Sequence, residues 1–391
     1  MQAKDASTIV NTLYQEMTGS TDITVVDASN IIDIGKKLQK VSSVDTIYKS
    51  IADKVGKVVI KNKLYTGKFP NLLRDGWEFG SIMETLRVKP YTAVADPSHN
   101  PVSGNDYQLT NYQSGGVVAK YFTDYDNFEF VYWKPTDQLW SAFNSMDEMV
   151  RFLGAIEIAV ANSLTVRLQG LAKTAINNMI AQTVHTDFPD TSSEGYNANS
   201  YARSINVLKL YNDISGSSLT VENCRQSADF LKFFVKLVMN TYDRLQDMSK
   251  IFNIDGEDTF TKAEDINLVV LSTVANDIKV NMQSDVYHKD LVSLPNYETV
   301  PYWQASGTAY NESVIGEINV TIKTGDSTTA TVKLPGILGV MFDKNAIGIN
   351  CEKRKTTTFY HPDLDQTKFF DKYFAQYYND FSENFVVFFV A

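Results

Sequence analysis

One helical pattern between residues 145 and 184 constrains the fold of this 391-residue chain more than any other feature. Ser145 and Glu148 stand three residues apart, in the capping-box arrangement where each side chain bonds a free amide of the other residue's turn. Apolar residues then recur every three or four positions: Met149, Leu153, Ile156, Val160, Leu164, Leu168, Leu171, Ala175 and Met179. The spacing predicts a single helix over 146–184, roughly 57 Å long at 1.5 Å per residue.

A coiled coil is the alternative interpretation of this stripe. The apolar spacing averages above the coiled-coil value of about 3.5 residues, and Gly154 and Gly170 lie inside the segment. We therefore expect one long spine helix that packs along a sheet.

The segments before the spine helix have few of the features of a self-sufficient core. Residues 1–57 are polar and moderately helical, so we expect an arm that needs another surface to bury its apolar residues. Alternating patterns predict strands at 57–61 and 127–133. Between them, the turn-rich stretch Asp96–Asn105 is typical of the tip of an extended hairpin.

The segments after the spine helix predict a mixed α/β region and a strand-rich tail. A loop at 190–200 precedes a second long helix at about 221–253, and a buried strand at 265–272 leads into a helix at 274–286. A hairpin around Gly325 and Asp326 is predicted for 316–334, with two short strands in 336–350. The aromatic tail, 356–391, must pair back into a sheet, and we expect the sheet that the spine helix covers.

Charge and composition narrow the class of function. The chain has 46 acidic and 36 basic residues, a net charge of −10, which argues against a protein whose main task is to grip nucleic acid. Enclosing nucleic acid without binding it tightly is still compatible with this balance. The 21 Tyr and 22 Phe suit either a β-rich core or large protein–protein contacts.

Compartment signals are few. Cys224 and Cys351 fit no metal or redox spacing, so we expect two buried thiols in a reducing compartment. The N-terminus lacks a signal-peptide core, and no apolar run approaches the roughly 18 residues of a membrane span. We therefore expect synthesis in the cytoplasm and no membrane partner.

No catalytic or metal-binding constellation is apparent in the sequence. The four histidines, His99, His185, His288 and His361, have no ligand partners at metal-site spacing. Aligning Asp255–Asp258 with a calcium loop puts Ile251 and Lys262 at the first and last ligand positions, so the match fails. Asp363 and Asp365 lie in a turn with nothing to activate. The sequence thus predicts no catalytic, cofactor-binding or metal-binding residues and no cofactor.

Four stretches resemble the major head proteins of small podoviruses of the phi29 kind: 55–60 (Val-Gly-Lys-Val-Val-Ile), 271–277, 339–346 and the Tyr- and Phe-rich block 356–378. The order of predicted elements resembles the Hong Kong 97 type of phage capsid fold, in which an arm and an extended loop reach onto neighbouring subunits. As an ordering, this resemblance covers most of the chain.

The resemblance implies an α+β subunit with five parts. They are an N-terminal arm (1–57), an extended β-hairpin loop with adjoining strands (58–134), a peripheral domain with the spine helix (135–199), an axial domain (200–350) and C-terminal strands that return to the peripheral domain (351–391). A coiled, cleavable scaffolding segment ahead of the arm and an appended immunoglobulin-like domain are not expected.

The function implied is that of a major capsid protein that self-assembles into the pentamers and hexamers of an icosahedral phage head. The head would enclose double-stranded DNA without sequence-specific binding, and a separate scaffolding protein and a portal are expected partners. Three rivals stay open: an encapsulin-like compartment shell, a tail or receptor-binding virion protein, and an unrecognised cytoplasmic enzyme.

Overall fold

The computed structural model describes residues 3–20, 30–61, 67–74, 83–88, 103, 116–189, 196, 200–283, 297–304, 315–324 and 328–391. The helices are α1 (Ala3–Thr18), α2 (Ile31–Val41), α3 (Val44–Lys61), α4 (Thr136–Ala142), α5 (Met146–Asp187), α6 (Val207–Ser215), α7 (Ala228–Leu245) and α8 (Ser272–Gln283). The strands are β1 (Met83–Val88), β2 (Val117–Phe122), β3 (Tyr125–Pro135), β4 (Ser204–Asn206), β5 (Ile266–Leu271), β6 (Tyr297–Val300), β7 (Ile318–Lys323), β8 (Thr329–Leu334), β9 (Ile337–Asp343), β10 (Ile347–His361), β11 (Gln366–Asn379) and β12 (Phe385–Phe389).

The predicted spine helix is α5, which ends at Asp187, slightly beyond the expected 184. The Ser145 hydroxyl accepts a hydrogen bond from the Glu148 amide at 3.2 Å, as the capping box predicts. Every apolar residue of the predicted stripe, from Met149 to Met179, is buried. Helix α5 is therefore stabilised by packing of this stripe against the rest of the subunit, as expected for a helix much longer than the globular average.

By length and composition alone, α5 could cross a membrane, which the sequence pattern did not indicate. A buried core helix meets the same criteria, and α5 contacts α3, β10, β11 and β12 of its own chain. One such helix is weak evidence for a membrane segment.

The arm helices differ from their prediction in two ways. The expected strand around Val58 and Val59 is the last turn of α3, because Ile47, Ile51, Val55 and Val59 recur every four residues and form one buried helical face. The arm also buries its apolar residues within its own subunit, where α1 packs on α2, α3 and α5, and α3 packs on α5 and β10. It does not need a neighbouring subunit for this burial.

A three-stranded antiparallel sheet, in the order β10-β11-β3, lies beside α3 and α5. Strand β11 pairs with β3 along the length of both, from Gln366 opposite Pro135 to Gln376 opposite Tyr125. This pairing confirms that the tail shares a sheet with the region after Tyr121. A bulge between Lys353 and Lys355 interrupts the register of β10 with β11.

A second sheet has five strands, in the order β4-β12-β9-β5-β6, and its buried residues belong to the same apolar core as the spine helix. Strand β12, Phe385–Phe389, is buried at every residue and lies between β4 and β9. The tail is therefore divided between two sheets: β10 and β11 share a sheet with β3, whereas β12 joins the five-stranded sheet, and α5 contacts strands of both. A strand buried on both faces reads as an unbroken apolar run, which gives no indication of its partner.

The remaining elements follow the predictions with shifts at their ends. The expected helix at 221–253 is shorter: a 3-10 turn precedes α7, which Ser227 caps at the Phe230 amide, and α7 ends at Leu245. Strand β5 and helix α8 match the expected strand and helix, β7 pairs with β8 as the predicted hairpin, and β10 is long, not short. The stretches 96–105 and 190–200 lie outside the described residues, apart from Ser103, Tyr196 and Ser200.

Candidate assembly surfaces

The hairpin formed by β1 and β2 is antiparallel, with Met83 opposite Phe122 and Val88 opposite Val117. Side chains alternate between its two faces, so Thr85 and Arg87 share one face with Val118, Lys120 and Phe122. This inward face lies against the strand-rich body of the subunit. The Phe122 ring stacks on Tyr378, with ring centroids 4.8 Å apart.

Arg87 fixes the outer part of the inward face. Its guanidinium donates to the Ser382 carbonyl at 2.9 Å and forms an ion pair with the Glu383 carboxylate, while a third contact reaches the Thr259 hydroxyl at 3.3 Å. Burial raises the pKa of Glu383, and the opposing effect of Arg87 does not fully offset it. The pair therefore positions the hairpin more than it stabilises the ionised carboxylate.

Lys120 fixes the inner part of the same face. Its ammonium pairs with Asp380 at 2.9 Å and also with Asp255. Burial alone would raise the pKa of Asp380, but hydrogen bonds from Ser382 and Lys120 outweigh it and hold the pKa below its ordinary value. Arg87, Lys120, Asp255, Asp380 and Glu383 together are called the hairpin clamp below.

The outward face of the hairpin is exposed and largely apolar, with Glu84 at its inner end opposite Tyr121. Leu86 is 68% exposed, and Val88, Val117 and Tyr121 are each 62% exposed. Four large apolar side chains on one face of a two-stranded ribbon form a contiguous patch, and such patches mark protein–protein contact sites. The clamp thus presents a fixed apolar strip to whatever lies next to the subunit.

The arm is held on the three-stranded sheet by a buried polar group. The Lys353 ammonium donates to the Ala52 carbonyl in α3 at 2.7 Å and lies 3.6 Å from the Asp371 carboxylate. Asp371 also accepts hydrogen bonds from Tyr132 at 2.9 Å and from Thr356 at 2.5 Å. These bonds join α3, β3, β10 and β11, so they fix the arm to the sheet within one subunit.

The histidines and acidic turns form no catalytic group in the part of the chain that the structure describes. His185 lies near the end of α5 and His361 ends β10, whereas His99 and His288 lie outside the described residues. Among described residues, no three His, Cys, Asp or Glu side chains converge as metal ligands.

The acidic turns have local roles. In 255–258, Lys120 pairs with Asp255, and Asp258 lies 3.2 Å from Lys250. Asp365 caps the turn after β10 and accepts a hydrogen bond from Tyr360 at 2.6 Å. The carboxylates of these turns thus form ion pairs or stabilise a turn. The sequence predicted no catalytic role for them.

Both cysteines are buried thiols, as predicted. Burial raises the pKa of Cys224 to about 11 and that of Cys351 to about 12. Because the thiolate is the reactive form, neither side chain is a good nucleophile near neutral pH.

Neither the hairpin clamp nor the Lys353–Asp371 pair was predicted from the sequence. Arg87 and Glu383 are 296 positions apart, and no local pattern links them. The one available signal was the alternation of 83–88, where the charged Arg87 falls between the apolar Leu86 and Val88.

Comparison with known proteins identifies a family that this chain matches. The profile of the Phi29-like phage major capsid protein family matches residues 7–389, nearly the whole chain. No curated protein sequence matches the chain.

Solved structures similar to this one come from phage particles. The capsid of Staphylococcus phage Andhra matches at 10% identity, with 84% of this chain and 85% of that chain covered and a TM-score of 0.49. The capsid of cyanophage P-SCSP1u matches at 12% identity, with 84% and 89% covered and a TM-score of 0.46. The procapsid of satellite phage P4 matches at 13% identity, with 86% and 91% covered and a TM-score of 0.40.

The arm helices, the clamped hairpin and the spine helix follow one another along the chain in the order of the Hong Kong 97 type of capsid fold, and the two larger sheets complete it. Together with the profile match over residues 7–389, this architecture identifies the chain as a capsid shell subunit that belongs to the Phi29-like phage major capsid protein family.

Proposed function

We propose that this capsid subunit assembles into the pentamers and hexamers of an icosahedral phage head. The observation that carries the proposal is the clamped hairpin with its exposed apolar strip of Leu86, Val88, Val117 and Tyr121. Apolar side chains exposed to this degree gain roughly 25 cal/mol per Å² when a neighbour covers them. Closed symmetry repeats this modest gain at every subunit boundary.

We propose that the subunit has the five parts that the family resemblance implies. The arm (1–57), the extended loop and adjoining strands (58–134) and the peripheral domain with the spine helix (135–199) precede an axial domain (200–350). The C-terminal strands (351–391) return to the peripheral domain through β10 and β11. Hydrogen bonding supports an exception for Phe385–Phe389, which pairs with β4 and β9 of the axial region.

The proposed partners are other copies of the chain, a separate scaffolding protein, a portal and enclosed double-stranded DNA. A net charge of −10 supports a wall that does not hold packaged DNA tightly, because strong binding to phosphate requires clustered cations. Membership in a capsid family supports a structural role without catalysis. We propose that synthesis takes place in the cytoplasm of the bacterial host.

The experiment compares two double variants of the purified chain. Leu86→Asp/Val117→Asp places charges on the apolar strip, and Ile214→Asp/Val280→Asp makes the same change at two residues of α6 and α8 with similar exposure, 68% and 70%. Light scattering and negative-stain electron microscopy would follow assembly of each variant and of the unchanged chain, with and without the scaffolding protein.

We expect the strip variant to lose shells and the control to keep them. The strip residues are exposed in the single subunit, so both variants should keep the far-ultraviolet circular dichroism of the unchanged chain. Equal assembly of the strip variant and the control would contradict the role of the hairpin.

A further inference from the structure

The face of the three-stranded sheet opposite α3 and α5 is exposed and largely aromatic. Trp133 is 44% exposed and Val131 46% on β3, Tyr125 is 59% exposed at the start of β3, and Phe359 is 59% exposed on β10. The register places Trp133 opposite Lys368 and Phe359 opposite the same lysine from the other side. These side chains therefore form one surface across all three strands.

Cations are concentrated on this face. Lys355 and Lys372 are both exposed and stand directly opposite each other in the β10–β11 register, an arrangement of like charges that destabilises a sheet. The bulge turns Arg354 over the Phe374 ring, 4.2 Å from its centroid, and Lys368 lies 5.0 Å from the Trp133 ring.

Carboxylates on the face compensate these cations only in part. Glu129 lies 4.0 Å from Lys372, at the outer limit of an ion pair, and the strand alternation puts Glu352 on the same side. Four cations thus face two carboxylates in a protein whose total charge is −10. Trp133, Arg354, Lys355, Phe359 and Lys372 define what we call the basic sheet face.

A surface of the opposite character lies on the five-stranded part of the subunit. Between 243 and 265 there are seven acidic and three basic residues. Three of the carboxylates, Asp255, Asp258 and Asp265, are paired with Lys120, Lys250 and Lys344. Met248, Ile251 and Phe260 in this segment are 56%, 47% and 49% exposed. The Tyr242 hydroxyl donates to the Ala263 carbonyl at 3.0 Å and joins the two ends of the segment.

Two open clefts run along this segment. One, with a volume of about 530 Å³, is lined by Met248 and Phe260 together with Val88 of the hairpin. The other, about 720 Å³, is lined by the carboxylates Asp243 and Glu264. Asp243, Asp247, Met248, Phe260 and Glu264 define the acidic surface.

We propose that the basic sheet face of one subunit binds the acidic surface of a neighbouring subunit. The two surfaces are complementary in charge. Each also exposes large apolar side chains, which would be buried at the centre of such a contact. Rings of five or six copies need a contact between two different surfaces of the chain, and this pair supplies one. The inference rests on the proposed function, because it names the partner of an assembly contact.

A nucleic acid is the other anion that four cations could attract. A duplex presents its phosphate backbones and keeps its base faces stacked inside, however, so Val131, Trp133 and Phe359 would stay in water beside it. The basic sheet face also carries Glu129 and Glu352, which would repel phosphates. An acidic protein surface with exposed Met and Phe side chains satisfies both the charges and the aromatic rings.

Charge reversal with rescue tests the contact. Lys355→Glu/Lys372→Glu reverses the basic sheet face while keeping one like-charge pair in the register. Because Glu129 lies 4.0 Å from Lys372, circular dichroism must first show that this variant keeps the fold of the unchanged chain. Asp247→Lys/Glu264→Lys reverses the acidic surface. We expect each double variant to raise the protein concentration needed for assembly about tenfold, and the chain with all four changes to return to within about threefold of the unchanged chain.

The matched control is Lys36→Glu/Lys40→Glu on the exposed side of α2, which changes the total charge by the same amount as the sheet variant. The proposal is overturned if this control weakens assembly as much as the sheet variant, or if the fourfold variant shows no rescue. Salt-dependent binding of a short DNA duplex that the sheet variant loses, with assembly unchanged, would also overturn it.

Cysteine cross-linking tests the contact apart from shell formation. One chain carries Thr357→Cys on the basic sheet face and another carries Asp247→Cys, while the buried native thiols stay unreactive. We expect oxidation to give a covalent dimer only in the mixture, even in concentrated solution without scaffolding protein. No mixed dimer from subunits that still form shells would leave the proposed function standing and reject this contact. Failure of the unchanged chain to form shells would instead count against the proposed function.

Discussion

The ammonium of Lys353 lies 3.6 Å from the carboxylate of Asp371, in the interior between α3 and the three-stranded sheet. Both side chains are almost completely buried, at 3% and 0% exposure. Burial lowers the pKa of Lys353 despite the nearby Asp371 charge. A buried charge of this kind depends on its partner, because neither group can be solvated when the other is removed.

Lys353→Met is expected to destabilise the subunit by about 3 kcal/mol, because it leaves the Asp371 carboxylate buried without a cation. Urea unfolding measures the loss as a change in the free energy of unfolding. The double variant Lys353→Met/Asp371→Leu should lose less than the sum of the two single changes, since no charge is left in the interior. Strictly additive losses would show that the two groups do not interact.

Gly56 allows this lysine to pass beneath α3. A Cβ atom at position 56 would lie 2.2 Å from the Lys353 nitrogen and 2.7 Å from its Cδ atom, closer than atoms can approach. The clash introduced by Gly56→Ala should cost about 1–3 kcal/mol of folding free energy. Because this cost exceeds the roughly 1 kcal/mol that alanine gains over glycine in a helix, we expect a net loss of stability. Thermal unfolding measures the change.

The matched control is Gly170→Ala in α5, where a Cβ atom would meet nothing within 4 Å. This change should stabilise the subunit by up to about 1 kcal/mol, because only helix propensity differs. The same sign of change at both glycines would contradict the packing of Lys353 against α3.

The sequence predicted elements whose pattern is local and missed contacts that join distant segments. Helix α5 was found because its cap and its stripe from Met149 to Met179 lie in one window. The end of α3 was wrongly predicted as a strand because Val58, Val59 and Ile60 favour strands in isolation. The four-residue repeat through Val55 and Val59 continues the buried face of the helix instead. Strand β12 gave no sign of its partners, because a fully apolar strand suits either sheet.

The clamp carboxylate Asp380 gives a pH-dependent prediction. Its pKa is held below the ordinary 3.8, so its ionised form stabilises the folded subunit above pH 3.8, and this contribution is lost as the pH falls through the lowered pKa. We expect Asp380→Asn to cost about 1.5 kcal/mol at pH 7 and progressively less below pH 3.8. Denaturant unfolding at several pH values measures the difference, and Asp229→Asn at an exposed site is the control.

A loss for Asp380→Asn that stays constant from pH 7 to the acid limit would contradict this prediction. It would show that the amide disturbs packing, and that the carboxylate charge itself contributes nothing.

Arg87 and Glu383 give a test of hairpin position. Arg87→Glu places two carboxylates together and should release the inward face of the hairpin, which hydrogen exchange would show as faster exchange of amides in 83–88 and 117–122. The swapped pair Arg87→Glu/Glu383→Arg should restore part of the protection, because the ion pair forms again with reversed polarity.

The control for the clamp is Arg225→Glu, which breaks the ion pair of Arg225 with Asp277 away from the hairpin. Its effect on exchange in 83–88 should be absent. Slow exchange in the Arg87→Glu hairpin would mean that the Lys120 contacts alone hold it in place.

The central claim is that this chain builds a closed shell. Its most direct test is the assembly state of the purified, unchanged chain, measured by light scattering and negative-stain electron microscopy with and without the separate scaffolding protein. We expect rings of five or six subunits and closed particles. A stable trimer, or a monomer that persists even with the scaffolding protein, would contradict it.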